Sequence, residues 1–172
     1  MANSLILDPV DRFLWSIVIA TLFMCAGLFF YRGYSQKNRN EKIIMCGFAS
    51  IFIGLAIGRI FFYICDFQIK GTYINHAYYG DFNEYDPLLE LFVRLAFISS
   101  FTGITIFIFC FEYTNKRTGY ILTLMNVLLI ISIAISPFEL ATFITNYIAV
   151  FVNFLVFFFN SNLLYQIFQA RV

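Results

Sequence analysis

The sequence predicts an all-α membrane protein, a polytopic bundle of five membrane-spanning helices that forms a single domain over residues 1–172. Apolar residues make up 61% of the chain and charged residues only 12%, whereas a soluble domain has about 45–50% and about 25%. The apolar residues also fall in long runs that short polar segments separate. A chain of this composition cannot cover a water-facing surface, so we expect its main partner to be the lipid bilayer.

Five apolar runs have the length that a membrane helix needs, which is about 17–25 residues. The first is uncharged and carries Trp15 and Tyr31 near its ends, where amphipathic rings favour the membrane interface. The last two are separated at Pro137, because a proline rarely continues a helix, and together they are too long for one crossing. The spans are predicted at about residues 13–31, 43–65, 88–111, 119–135 and 140–159.

The positions of the basic residues predict the orientation of the bundle. The outer loop at residues 67–87 carries three acids and one lysine, whereas the segments after the first and third spans are basic. Since cytoplasmic loops carry an excess of Lys and Arg, we expect the N-terminus outside, the C-terminus in the cytoplasm, and a multi-pass location in the plasma membrane. The basic residues assigned to the cytoplasmic side are Arg32, Lys37, Arg39, Lys42, Lys116, Arg117 and Arg171.

Two arginines are predicted to lie inside the membrane at one depth. Arg59 is about seven residues below the outer end of the second span, roughly 10 Å deep, and Arg94 has a similar depth on the antiparallel third span. An arginine at the centre of a span costs about 2.5–3.5 kcal/mol on insertion scales, so both side chains require polar partners. The candidates nearby in sequence are Glu90, Asp66 and Tyr63.

These side chains have two competing interpretations and a third, weaker one. Guanidinium groups suit carboxylate and phosphate, so Arg59 and Arg94 could line an outward-facing cavity that binds a small anionic molecule, together with Glu90, Asp66 and Tyr63. Alternatively, the four charges pair with one another and extend towards the outer interface. In the third interpretation Glu90 takes part in a proton or ion relay.

A stripe of small residues follows one face of the second span. Gly47, Ser50, Gly54 and Gly58 are spaced by three or four residues, and Gly54 and Gly58 form a GxxxG pattern. Small residues allow helix backbones to approach closely in lipid. We expect this face to pack against another helix of the same chain, with homodimerisation as the alternative.

A polar ridge is predicted on the fifth span. Asn146, Asn153 and Asn160 are spaced seven residues apart, and this spacing drifts by only about 20° per step on a straight helix. Buried asparagines in a membrane bundle usually form hydrogen bonds between helices, so we expect the ridge to serve packing. A hydrophilic pathway is the alternative.

Catalytic and metal-binding signatures are absent from the sequence. It contains no HExxH, no GxSxG, no glycine-rich phosphate loop and no pair of intramembrane aspartates. The four cysteines form no CxxC pattern, and His76 is the only histidine. We therefore expect a protein that is not an enzyme and needs no cofactor or metal, and a net charge of +1 gives no surface for nucleic acid.

These observations favour a sensing or small-ligand-binding membrane module with an outward-facing site at Arg59 and Arg94. Its output would pass to a membrane protein partner. One alternative is a small transporter or channel that uses the asparagine ridge. The other is a structural membrane subunit whose charges pair among themselves.

Overall fold

The computed structural model describes residues 4–67, 87–115 and 119–149, and these residues are helical apart from short connecting turns. Three long helices come first, and a short helix and one further turn of helix follow. The last of these continues directly into a π-helical segment, a rare form that often occurs at functional sites. The elements are α1 (Ser4–Ser35), α2 (Arg39–Phe67), α3 (Pro87–Asn115), α4 (Ile121–Ile135), α5 (Phe138–Phe143) and the π-helical segment (Ile144–Ala149).

Three helices of the described chain are long and apolar enough to cross a membrane, over Val10–Ser35, Arg39–Cys65 and Pro87–Asn115. They coincide with the first three predicted spans, and this confirms that the chain is built as a membrane protein. The helices extend beyond the predicted spans because a helix continues past the hydrocarbon region as long as its backbone groups remain paired. Most of the outer loop and the second half of the fifth predicted span lie outside the described residues.

Helix α4 is shorter than the other apolar helices. Its 15 residues, Ile121–Ile135, fall below the length of about 17–25 residues that a spanning helix usually has. It begins after two residues in the left-handed region, Gly119 with φ 59° and Tyr120 with φ 64°. This turn removes the first two residues of the predicted fourth span from the helix.

Helix α2 lies between α1 and α3 and packs against both. Its glycine stripe faces α3: a Cβ atom at Gly54 would lie 2.7 Å from the Ser99 carbonyl oxygen and 2.8 Å from the Gly103 Cα atom. The contact is reciprocal, since a Cβ atom at Gly103 would lie 2.5 Å from the Ser50 carbonyl oxygen. The two backbones therefore touch, as small residues permit in lipid.

Phenylalanine rings beside the glycine stripe join the three long helices. The Phe29 ring of α1 lies 5.4 Å from the rings of both Phe48 and Phe52 of α2, measured between centroids. Phe48 in turn lies 4.7 Å from Phe107 of α3. Offset aromatic pairs of this kind contribute about 0.5–1.5 kcal/mol each beyond their buried area. They hold α1 on the bundle, although most of its side chains are exposed.

Two charged residues of α3 bind the two ends of α4. Glu112, which is 1% exposed, accepts hydrogen bonds from the backbone N–H groups of Leu122 (3.1 Å) and Thr123 (3.0 Å) and from the Thr123 hydroxyl. The Arg94 guanidinium donates to the carbonyl oxygen of Ile133 (2.8 Å) at the other end. Helix termini have backbone groups without intrahelical partners, and a helix dipole favours an acid at its N-terminus and a base at its C-terminus. The negative charge of Glu112 therefore lies at the N-terminus of α4 and the positive charge of Arg94 at its C-terminus, as the helix dipole favours.

Candidate functional site

A cavity of about 430 Å³ lies between α2, α3 and the π-helical segment. This volume is within the range of about 300–1,000 Å³ that small-molecule pockets occupy. Because α5 and the π-helical segment follow α4 directly, the position of α4 on α3 also determines where the third wall of the cavity lies. The lining residues are Leu55, Gly58, Arg59, Phe62, Phe97, Ser100, Phe101, Ile104, Thr145 and Asn146.

Most of the lining is apolar, and two of its hydroxyl groups already use their protons. The Ser100 hydroxyl donates to the Ala96 carbonyl oxygen at 2.8 Å, and the Thr145 hydroxyl donates to the Ala141 carbonyl oxygen at 2.7 Å. Both hydroxyls can still accept a hydrogen bond. The hydrogen-bond donors that the lining offers to a ligand are therefore the Arg59 guanidinium and the side-chain amide of Asn146.

The Arg59 guanidinium lies over the indole ring of Trp15 on α1, with its Cζ atom 5.1 Å from the ring centroid. In this cation–π contact the face of the ring attracts the positive charge. The contact leaves the guanidinium N–H groups without the hydrogen bonds that a carboxylate would accept. Among the side chains that the structure describes, no carboxylate lies within 4.0 Å of the Arg59 guanidinium. Arg59 thus brings a positive charge to the wall of an apolar cavity.

Arg94 has different surroundings, although the sequence predicts both arginines at one depth. Its Nε and Nη2 atoms donate to one carboxylate oxygen of Glu90, at 2.9 Å and 2.6 Å. Its Nη1 atom donates to the carbonyl oxygens of Ile133 (2.8 Å) and Ala134 (3.3 Å). All three nitrogen atoms of the guanidinium therefore have acceptors inside the protein.

The other predicted site residues take different places. Tyr63 is half-buried on α2, outside the cavity lining, and Asp66 lies in the last turn of α2 with its side chain outside the described residues. Asn146 lines the cavity from the π-helical segment, whereas Asn153 and Asn160 lie outside the described residues. Of the predicted packing glycines, Gly47 and Gly54 face α3, and Gly58 both faces α3 and forms part of the cavity wall.

Sequence reasoning missed the α3 wall of the cavity and the partner of Arg59. Phe97, Phe101 and Ile104 recur at intervals of four and three residues, a helical-face pattern that could have identified this wall. The Ser99 and Gly103 pair has the small-xxx-small spacing that could have assigned α3 as the partner of the glycine stripe. No sequence signal connects Trp15 to Arg59, because the contact depends on how α1 packs on α2.

The described residues contain no group of three or more His, Cys, Asp or Glu side chains arranged to hold an ion. The chain matches no protein-family model, and comparison with curated proteins and with solved structures finds no similar protein. Its function is therefore inferred from the cavity and from Arg59 in its lining.

Proposed function

We propose that this chain is a non-enzymatic, multi-pass protein of the plasma membrane that binds a small anionic molecule in the cavity beside Arg59. It crosses the membrane five times, with its N-terminus outside and its C-terminus in the cytoplasm. The observation that carries the proposal is the Arg59 guanidinium, a cation at the wall of a 430 Å³ cavity with no described carboxylate in contact. A membrane protein partner would respond when the anion binds.

The difference between the two arginines supports this assignment. The charge of Arg94 is matched by Glu90 at 2.6 Å, and its remaining donors bind the end of α4. Trp15 is attracted to Arg59 but is neutral, so no described side chain matches the net charge of Arg59, and an arginine at the centre of a span costs about 2.5–3.5 kcal/mol. A bound anion would remove that cost. In this proposal Arg59 binds the ligand, while Arg94 and Glu90 hold α4.

The position of the cavity agrees with access from the outer side under the proposed topology. Arg59 lies about 12 Å from the C-terminal end of α2, at a rise of about 1.5 Å per residue. The α3 lining, from Phe97 to Ile104, lies around the middle of α3 and begins on the side of the outer loop. An anion would therefore enter from outside and meet Arg59 within the outer half of the membrane.

The experiment uses the single tryptophan of the chain as its reporter. Because Trp15 lies against Arg59, an anion that binds the guanidinium changes the emission of Trp15. Purified protein in a neutral detergent is titrated with acetate, succinate, inorganic phosphate and octanoate. We expect a saturable change with at least one of them, and Arg59→Gln should weaken it by about 1.5–3 kcal/mol, roughly 10- to 150-fold.

The matched control is Arg32→Gln, which removes the same charge from an exposed position at the opposite end of α1 from Trp15. It should leave the titration unchanged. A wild-type protein that responds to none of the four anions would overturn the proposal. In that case an Arg59→Gln and Asp66→Asn double-mutant cycle with a large coupling energy would support the structural subunit, in which the charges pair among themselves.

A transport function is the second candidate, because Asn146 and Asn126 supply polar groups beyond Arg59. Asn146 lines the cavity, and Asn126 is fully buried on α4, where its amide donates to the Leu122 carbonyl oxygen at 3.1 Å. Its Oδ1 atom has no hydrogen-bond partner among the described residues. If these amides belong to a polar path with Asn153 and Asn160, Asn153→Leu should abolish anion uptake into proteoliposomes while leaving the Trp15 titration intact.

A further inference from the structure

The lining of the cavity separates into one charged group and an apolar body. Leu55 and Phe62 on α2 and Phe97, Phe101 and Ile104 on α3 supply the apolar body. Arg59 supplies the only cationic side chain of this lining among the described residues. A ligand with two separate anionic groups would leave one of them unmatched in an apolar setting, which is strongly unfavourable. The site therefore suits a molecule with a single anionic group.

The rest of the ligand is constrained by the scarcity of unused donors. The hydroxyl protons of Ser100 and Thr145 already bind the backbone carbonyl oxygens four residues earlier in the chain. The donors left for a ligand are Arg59 and the Asn146 amide, and the two hydroxyls can only accept. A sugar or nucleoside has more polar groups than these can pair, and each unpaired group opposes binding. Phenylalanine and aliphatic side chains instead favour a hydrocarbon group.

The shape of the cavity fits a chain-like hydrocarbon. On α2 the lining runs from Leu55 to Phe62 and on α3 from Phe97 to Ile104, so each wall extends for about 10 Å along its helix. At Gly58 the backbone of α2 lies against Ala96 and Ser100 of α3 and forms part of the lining, so the two helices close the cavity on that side. The cavity thus offers an apolar space about 10 Å long beside one cation.

We infer that the ligand of this site is an amphiphilic anion, with one carboxylate or phosphate group on Arg59 and a hydrocarbon chain in the apolar space that α2, α3 and the π-helical segment enclose. This inference rests on the proposed function and specifies the chemical class of its ligand. The same chemistry is offered by a free fatty acid and by an anionic membrane lipid. A hydrocarbon chain that moves from lipid into the cavity stays in an apolar medium, so its transfer favours binding little. Recognition of such a ligand therefore depends on its charged group.

The test compares ligands that differ in one property, again with Trp15 emission as the readout. Octanoate has the charge and the chain, acetate has only the charge, and octanamide has only the chain. From water, each buried CH₂ group tightens binding by about fourfold, so octanoate should bind at least about tenfold more tightly than acetate. Octanamide should bind weakly, and in Arg59→Gln the preference for octanoate over octanamide should disappear.

The matched variants are Ile104→Phe and Ile106→Phe, which introduce the same larger side chain on one helix. Ile104 lines the cavity, whereas Ile106 is 45% exposed and outside the lining. Ile104→Phe should weaken octanoate binding about tenfold with little effect on acetate, and Ile106→Phe should change neither. Equal effects of the two variants on octanoate would overturn the inference.

The source of the ligand is distinguished by the surrounding lipid. In nanodiscs of phosphatidylcholine, octanoate should bind as it does in detergent. If phosphatidylglycerol nanodiscs block octanoate in the wild type and also shift Trp15 emission by an Arg59-dependent amount, an anionic lipid is the occupant. If phosphatidylglycerol nanodiscs have neither effect, the occupant is a free fatty acid.

The outcomes also separate this inference from the proposed function. Arg59-dependent binding of acetate, succinate or phosphate with no advantage for octanoate would overturn the amphiphilic ligand and leave the anion site standing. The absence of a response to every anion would overturn both.

Discussion

Single side chains decide how each intramembrane charge is accommodated, and Glu90 is the clearest case. Its carboxylate binds Arg94 at 2.6 Å with side-chain exposures of 32% for Glu90 and 16% for Arg94. An ion pair at this depth is weak evidence of net stabilisation, since both groups lose hydration. The loss of one partner is more damaging, because it leaves the other charge unmatched beside the α4 terminus.

We expect Glu90→Gln to lower the free energy of unfolding by about 1–3 kcal/mol, because the Arg94 charge then lacks its carboxylate. Unfolding of the purified protein by titration of a denaturing detergent measures this change. Glu139→Gln, which neutralises an exposed acid near the start of α5, serves as the control and should have little effect. A stability equal to that of the wild type in Glu90→Gln would show that the pair is unimportant.

At the scale of elements, the α2–α3 contact is the feature that defines the bundle and shapes the cavity. The hydroxyl of Ser50 lies within hydrogen-bond distance of the carbonyl oxygens of Gly47 (2.6 Å) and Gly103 (3.0 Å), so a polar contact accompanies the close approach. Gly58 continues this contact to the cavity wall. The distance between α2 and α3 therefore determines both packing and cavity width.

Two glycine substitutions test this contact. A methyl group at Gly103 would lie 2.5 Å from the Ser50 carbonyl oxygen and must push the helices apart, whereas one at Gly27 on α1 has no atom within 4 Å. Gly103→Ala should therefore destabilise the protein by about 1–3 kcal/mol. Gly27→Ala should be neutral or stabilising by up to about 1 kcal/mol, because alanine favours a helix. If unfolding titrations give Gly103→Ala and Gly27→Ala the same free energy of unfolding, the close packing is contradicted.

At the scale of the whole molecule, three apolar helices establish the membrane class, and the two shorter elements after α3 decide the topology. Under the proposed orientation, the connection between α1 and α2 is cytoplasmic and the outer loop is external. Because α4 has only 15 residues, the side on which Glu139 lies depends on whether α4 crosses the membrane. Residue accessibility can establish this directly.

Single cysteines introduced into a variant without the four native cysteines provide the measurement. In intact cells, a membrane-impermeant maleimide should label Asn83→Cys in the outer loop and Glu139→Cys after α4, but not Asn38→Cys before α2. Asn38→Cys should react once the membrane is permeabilised. Protection of Glu139→Cys would mean that α4 does not cross, and labelling of Asn38→Cys alone would reverse the orientation.

The sequence predicts the long helices well and the contacts of its charged residues only in part. A run such as residues 43–65 identifies a span because length and hydropathy are properties of the segment itself. The Glu90–Arg94 pair is also local, since the two residues lie one helical turn apart. The carbonyl acceptors of Arg94 at Ile133 and Ala134 could not be predicted, because every residue has a carbonyl group and only tertiary packing selects these.

The sequence predicts the cavity even less well than these contacts. Its walls come from three elements, and its volume is the space that remains after they pack. The π-helical segment that supplies Thr145 and Asn146 has no distinct sequence signal, so residues 140–159 read as one continuous α-helix. The sequence indicates Arg59 because a charge inside an apolar run is conspicuous, whereas it places Trp15 at the membrane interface, where tryptophans are common.

The two charges that α3 presents to α4 have a consequence for membrane insertion. Arg94 and Glu112 lie about five helical turns apart on one face of α3, about 27 Å, which leaves room for a helix of 15 residues between them. A helix that docked in the opposite direction would meet Glu112 with its carbonyl groups and Arg94 with its N–H groups. Helix α3 therefore acts as a template that accepts α4 in the antiparallel direction, and the labelling of Glu139→Cys reports whether it does.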